Sequence, residues 1–307
     1  MTRKKDFLTL ADYGREELEG MLDLAAKLKE SWRQGRPERR LADKILACVF
    51  LKPSLRTRVS FEAAMWHLGG HALYITDAEI GLGKRESVYD VGQVLGRMVH
   101  GIMIRTFSQE SVVELAQATP IPVINGLTDL VHPCQVFCDM LTIRENGLPL
   151  DGIKVAYLGD GNNLVHSWLN AAASFPFDFS FGGPAGYHPQ PEVVERARSR
   201  ARGRITITED PQEAIRGAAV VYTDTWTSMG QEAETEKRIK VFPAFQVNRQ
   251  LLALADPKAI VMHCLPAHRG QEITDEVMDG PQSVVFDQAG NRLHGQKAIL
   301  AHCLGAS

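Results

Sequence analysis

KILACVFLKPSLRTRVSFE, residues 44–62, is the stretch on which the fold turns. Its first half is a short, nearly continuous apolar run, the pattern of a strand buried on both faces of a parallel sheet. Its second half opens a helical pattern, VSFEAAMWHLGG, with Gly69 and Gly70 as the stop. At the junction stand Ser54, Leu55, Arg56, Thr57 and Arg58. A helix start leaves backbone N–H groups unpaired, and arginines and hydroxyls beside them make a compact site for an oxyanion. Read alone, such a segment is more often a capped helix with solvated arginines. It is not a Walker loop, because the GxxxxGK pattern is missing.

The same rhythm extends on both sides. Upstream, residues 15–28 place Leu18, Met21, Leu22, Ala25 and Leu28 at helical spacing. Downstream, HALYI (71–75), GIMIRT (101–106) and IPVI (121–124) are further short apolar runs, separated by helical patterns such as SVYDVGQVLGRMV (87–99). A second series starts at IKVAYLGD (153–160) and continues with RITIT (204–208), AAVVYTD (218–224), AIVMHCL (259–265) and SVVFD (283–287). All of these read as strands. The alternation predicts an α/β protein of two doubly wound parallel-sheet domains. QVFCDMLTIRENGLPLDG, a helix-like stretch running into a Gly and Pro loop, is the predicted link, dividing a first domain at 1–148 from a second at 149–290. A closing helix at about 291–307 is assigned to the first domain.

Totals narrow the function. The chain has 307 residues, is 44% hydrophobic, and carries a net charge of -3 from 34 basic and 37 acidic side chains. No overall basic field exists to gather nucleic acid or an anionic membrane, so any anion must be caught locally. No apolar run approaches the roughly 20 residues a bilayer crossing needs, and MTRKKDFLTL is too charged for a signal peptide. The expected location is the cytoplasm. Five cysteines, odd in number and without a CxxC pair, read as free thiols of a reducing compartment.

Ligands of open parallel sheets sit beyond the carboxyl ends of the strands. The polar clusters of this chain fall there: SLRTR, Arg105, HPCQ (132–135), DGNN (160–163), DTWTSMGQE (224–232) and HCLPAHRG (263–270). Each has a plain reading as a cap, a polar loop or packing. His132 alone is most often structural, and its PCxxxC context lacks the spacing of a zinc deaminase. GDGNN lacks the third glycine of a dinucleotide fingerprint, which disfavours NAD. An Asp such as Asp224 at a strand end can hold an ammonium group, and Ser228 with nearby backbone can hold a carboxylate. No GxSxG elbow and no metal-ligand spacing occur, so neither a metal nor another cofactor is expected.

In this order, FLKPSLRTRVSFE, MIRTF, LVHPCQ, GDGNN, DTWTSMGQE, MHCLPAHRG and RLHGQKA resemble the aspartate/ornithine carbamoyltransferase family over nearly the whole chain. The DxxxSMG and HCLP pair points to its ornithine branch. The resemblance implies a cleft between the domains and a homotrimer or multiple of trimers with active sites at subunit interfaces. It also implies carbamoyl phosphate and L-ornithine as substrates, L-citrulline as product, and a place in arginine biosynthesis. By motif, carbamoyl phosphate would meet Ser54, Leu55, Arg56, Thr57, Arg105, His132, Pro133, Cys134 and Gln135, with Cys264, Leu265 and Arg292 closing the site. Ornithine would meet Asn163, Asp224, Ser228 and Met229. Arg56, Arg105, His132, Asp224 and Cys264 would carry the chemistry.

Two positions depart from the family pattern. Leu55 replaces the usual threonine, and Gly81 stands where a glutamine or histidine is expected, with Lys84 or Arg85 as candidate replacements for the missing phosphate contact. These departures keep two alternatives in view, an N-acylated ornithine as substrate and a non-catalytic ligand-binding member.

Overall fold

The computed structural model describes residues 4–305. They form two compact units, one running to Leu141 and resuming at Gly290, the other spanning Thr142–Ala289. Residues 1–3 of the predicted first domain and residues 306–307 of the predicted closing helix lie outside the described residues.

The first unit contains α1 (Arg15–Arg33), β1 (Ile45–Phe50), α2 (Leu55–His67), β2 (His71–Thr76), α3 (Asp77–Ile80), α4 (Val88–Met98), β3 (Gly101–Arg105), α5 (Gln109–Ala118), β4 (Val123–Leu127) and the start of α6 (Pro133–Glu145). Its four strands are all parallel, in the order β2-β1-β3-β4, with Ile45 opposite His71 and Leu46 opposite Gly101. The second unit contains β5 (Lys154–Leu158), α7 (Asn163–Ala171), β6 (Asp178–Gly182), α8 (Pro191–Arg200), β7 (Ile205–Thr208), α9 (Pro211–Ile215), β8 (Val220–Thr223), α10 (Thr235–Val241), α11 (Arg249–Leu252), β9 (Ile260–His263), α12 (Asp275–Met278) and the start of α13 (Val285–Leu304). Its five strands are again parallel, in the order β7-β6-β5-β8-β9. The two parallel α/β sheets are those the alternation predicts.

Both sheets reverse direction of winding. In the first unit the chain leaves β1 for β2 on one side and later adds β3 and β4 on the other. In the second it leaves β5 for β6 and β7, then adds β8 and β9 beyond β5. The reversal opens a crevice beyond the carboxyl ends of the two strands at the switch point. Those strands are β1 and β3 in one unit, β5 and β8 in the other.

The apolar runs explain the cores. β3 and β4 are buried at every position, and Ala47, Val49, Ile102, Ile104 and Val123 share one cluster. Ala156, Leu158, Val221 and Val261 share another with Ile215 and Val277. Each Val, Leu or Ile buried in this way stabilises its unit by about 1.5–3 kcal/mol.

Two sequence readings of strands are corrected. SVVFD (283–287) is not a strand: Val284 donates to the Val261 carbonyl at 3.0 Å, and the chain then turns into α13 at Val285. An apolar run of this length does not separate a strand from a helix entry, and the buried positions Val284, Val285 and Gln288 already follow helical spacing. The fifth strand is instead β6, DFSFG, between β7 and β5, which the apolar-run reading does not mark and whose Phe179 and Phe181 are fully buried. No helix among the described residues is long and apolar enough to cross a membrane.

Candidate active site

In the first unit the β1–α2 junction is a capped helix start. Ser54 is the N-cap, and its Oγ accepts the Thr57 N–H at 3.3 Å. Leu55 is 75% exposed, so its side chain contributes no polar contact to this turn. Thr57 is buried, and its Oγ1 accepts from Arg292 Nη2 at 3.3 Å. The other arm of Arg292, Nη1, donates to Gln135 Oε1 at 2.5 Å, and Gln135 Nε2 donates to Asp139 Oδ1 at 2.8 Å. A residue of α13 thereby joins the starts of α2 and α6.

His132 lies directly before α6, whose first residue, Pro133, has its φ set for a helix start. The imidazole is 6% exposed. Burial foremost, and then the charges of Arg292, Arg105 and Arg56, hold its pKa well below the ordinary histidine value. It is therefore a neutral ring under the field of three guanidinium groups. Arg105 itself ends β3 and is buried. The ends of β1, β3 and β4, joined by Arg292 of α13, thus bring Ser54, Arg56, Thr57, Arg105, His132, Gln135 and Arg292 into one electropositive group. Cys134 faces away from reactivity: its thiol is buried, contacts the Asn125 carbonyl at 3.2 Å, and is pushed up to about 12 by burial.

The loop carrying Gly81 shows a local reason for glycine. Gly81 ends α3 in a left-handed conformation, φ 54°, and a Cβ there would stand 2.8 Å from Arg85 Cβ. Arg85 donates to the Glu79 carbonyl at 2.5 Å, while Lys84 is exposed.

In the second unit Asp224 follows β8, nearly buried, with three donors on its carboxylate. Cys264 Sγ reaches Oδ1 at 3.0 Å, the Thr225 N–H reaches Oδ1 at 2.8 Å, and Asn162 Nδ2 reaches Oδ2 at 3.1 Å. Lone-pair capacity remains on Oδ2 for a cation. Asn162, which stands in the DGNN cluster but not among the predicted ornithine contacts, is also the N-cap of α7, its Oδ1 accepting the Leu164 N–H at 3.0 Å. Asn163 is the first residue of that helix, half-buried. Ser228 is half-buried, and Met229 is 48% exposed. Cys264 and Leu265 follow β9, in the same unit as Asp224.

His263, at the end of β9, is fully buried. Its Nδ1 accepts the Leu265 N–H at 2.9 Å, so Nε2 carries the proton and donates to Glu272 Oε1 at 3.0 Å. This bond holds Leu265 in its left-handed conformation, φ 60°. Asp224, His263 and Cys264 place ligand atoms within 4.8 Å of one another. They do not fit a three-ligand metal site, because both nitrogens of the histidine are engaged elsewhere.

Sequence reading places Asp160 in the DGNN cluster without a partner and passes over Arg238. They form a buried ion pair at 3.0 Å, and burial, opposed by Arg238, pushes the Asp160 pKa up to about 6. The i,i+4 pairing of Glu234 with Arg238 in EAETEKR was the available signal, but it reads as a solvated helix face.

The chain matches two family descriptions: "Aspartate/ornithine carbamoyltransferase, carbamoyl-P binding domain" over residues 5–145 and "Aspartate/ornithine carbamoyltransferase, Asp/Orn binding domain" over residues 151–303. It is 52% identical over 298 residues to the ornithine carbamoyltransferase of Syntrophotalea carbinolica, covering 97% of this chain and 98% of that one. It is 51% identical to that of Anoxybacillus flavithermus, covering 98% and 96%. Among solved structures, the ornithine carbamoyltransferase of Pyrococcus furiosus superimposes with a TM-score of 0.95 at 46% identity, covering 99% of this chain and 98% of that one.

Proposed function

This chain belongs to the aspartate/ornithine carbamoyltransferase family, and we propose that it transfers the carbamoyl group of carbamoyl phosphate to the δ-amine of L-ornithine, giving L-citrulline and phosphate. The observation that carries the reading is the buried, neutral His132 under the charges of Arg56, Arg105 and Arg292, beside the capped start of α2. That combination suits a dianionic phosphate joined to a polar carbonyl. The α2 N-terminus and the guanidinium groups bind the phosphate, and the neutral imidazole donates an N–H to the carbonyl oxygen without adding a fourth charge.

The δ-nitrogen attacks the carbonyl carbon, negative charge gathers on the carbonyl oxygen, and the C–O bond to phosphate breaks as that charge returns, the proton shed by the attacking nitrogen passing to the departing oxygen so that hydrogen phosphate leaves. Arg56, Arg105 and His132 stabilise the oxygen at its most charged point, while phosphate departs as a stable anion. No covalent enzyme intermediate is required. Ornithine arrives with its δ-amine protonated, since such amines have a pKa of about 10.4, and it must lose that proton before attack. Asp224, held by Asn162, Thr225 and Cys264, is a fixed carboxylate suited to an ammonium group. Ser228 and Met229 border the substrate on the same side, and Asn163 lies at the start of α7.

We assign the active species to a homotrimer or a multiple of trimers, acting in the cytoplasm in arginine biosynthesis. The supporting observation for self-association is a set of exposed apolar side chains on one unit. Leu55, Val59 and Trp66 follow helical spacing on α2, Leu73 lies on the edge strand β2, and Tyr89, Val94 and Met98 lie on α4. Exposed apolar side chains on the edge strand β2 and on α2, the helix packed against it, mark a contact face.

Citrulline formation from carbamoyl phosphate, assayed with ornithine, N-acetylornithine and N-succinylornithine side by side, tests the activity. The reading requires turnover of free ornithine. Turnover of an acylated amine alone would overturn it.

A further inference from the structure

We infer that Arg238 is a positioning residue that fixes the 226–230 loop against the 159–163 loop and so sets the affinity for the amino-acid substrate. The inference rests on the proposed assignment of Asp224, Ser228 and Met229 to the ornithine side.

One guanidinium ties three segments together. Nη1 pairs with Asp160 Oδ1 at 3.0 Å and donates to the Trp226 carbonyl at 2.6 Å, while Nε donates to Glu234 Oε2 at 2.9 Å. Asp160 lies two residues before Asn162, and Trp226 lies midway between Asp224 and Ser228. The group is 4% exposed and its carbon stands 4.8 Å from the centre of the Tyr187 ring. Tyr187 packs edge-on against Phe242 at 4.8 Å, Phe242 stacks on Trp226 at 5.7 Å, and the Tyr187 carbonyl accepts the Gly161 N–H at 2.8 Å. Arginine and aromatic cluster therefore clamp the same two loops.

Beyond Trp226 the bonds made by Ser228 and Gly230 close within the segment. The Ser228 N–H goes to Gln231 Oε1 at 3.3 Å and the Gly230 N–H to Glu232 Oε1 at 3.0 Å. Such bonds shape the loop itself, and the Trp226 carbonyl ties it to Arg238. The guanidinium bonds Asp160 and Trp226 from Nη1 and Glu234 from Nε while lying against a ring, and a single ammonium nitrogen does not reproduce that spread of donors, so lysine is not an equivalent. The burial that raises the Asp160 pKa is also what makes loss of its partner costly.

The test uses the full chain with Arg238→Lys, Asp160→Asn and, as control, Glu234→Gln. KM for ornithine is expected to rise roughly 10- to 100-fold in Arg238→Lys, the range for losing a charge-assisted bond to a buried partner. Carbamoyl phosphate affinity, measured by calorimetry without ornithine, should stay within about twofold, a separation that a merely structural role would not give. Glu234 is half exposed, so its variant should shift neither constant by more than about twofold. Equal losses for both substrates, or an unchanged ornithine KM, would overturn the inference. So would failure of both Arg238→Lys and Asp160→Asn to fold, which would make the pair a support of the fold. A parent chain that forms no citrulline overturns the activity assignment instead. Calorimetric ornithine affinity of the same variants then decides the clamp, and a parent that does not bind ornithine refutes it too.

Discussion

Replacing His132 by phenylalanine removes one N–H donor and one titratable group while keeping a ring in a buried site. Loss of a preorganised donor at a developing oxyanion costs about 2.7–4 kcal/mol, so kcat should fall on the order of 100- to 1,000-fold. The same substitution has a second, independent readout. His132 has a folded pKa depressed far below its unfolded value of about 6.5, by burial and by Arg292, Arg105 and Arg56. A base with a depressed folded pKa contributes stability that is present above the unfolded pKa and is lost as pH falls, because the unfolded chain takes up a proton that the folded chain refuses. The loss grows as pH falls below the unfolded value of about 6.5, by no more than about 1.4 kcal/mol per pH unit for this one group. Denaturant unfolding at pH 5 and pH 7.5, on parent and variant, reads that difference. His67 and His294, lowered to about 4 and about 3 mainly by burial, act in the same direction and leave the variant part of the slope. A kcat within threefold of the parent would refute the donor role. An unchanged acid slope would refute the buried neutral histidine.

Three further outcomes follow from the same geometry. Asp224→Asn should lower kcat/KM for ornithine roughly 100-fold, the loss of a charge-assisted bond, with carbamoyl phosphate affinity unchanged in calorimetry. Because attack needs the neutral δ-amine, kcat/KM for ornithine should rise nearly tenfold per pH unit below about pH 10, and a flat profile would contradict direct attack. Gly81→Ala should cost about 1–2 kcal/mol of local stability, since residue 81 has φ 54° and a Cβ would meet Arg85 Cβ at 2.8 Å, and hydrogen exchange across 77–87 would report it.

The parallel sheets were legible because strands buried on both faces must be continuously apolar, as in ILACVF and GIMIR. DFSFG escaped for the opposite reason, since Asp178 and Ser180 break its run even though the strand is interior to its sheet. VVF at 284–286 was misread because a helix entry beside β9 needs the same residues as a strand. Residues at strand ends were visible as candidates, whereas their grouping was not. Arg292 is 235 positions from its partner Thr57, and only a resemblance could place it at the site from sequence. Asn162 was hidden by its neighbour, because two adjacent asparagines give no sign of which one caps α7 and bonds Asp224. Arg238 was hidden by charge: in a run of Glu, Lys and Arg the buried member looks like the solvated ones.

Carbamoyl transfer to free ornithine can be followed atom by atom. Incubating the chain with carbamoyl phosphate labelled with carbon-13 and unlabelled ornithine, and following the carbon by NMR, tests it most directly. The label is expected in the ureido carbon of citrulline, with one phosphate released for each. Binding of both substrates without that signal, or label appearing only when the α-amine is acylated, would contradict it.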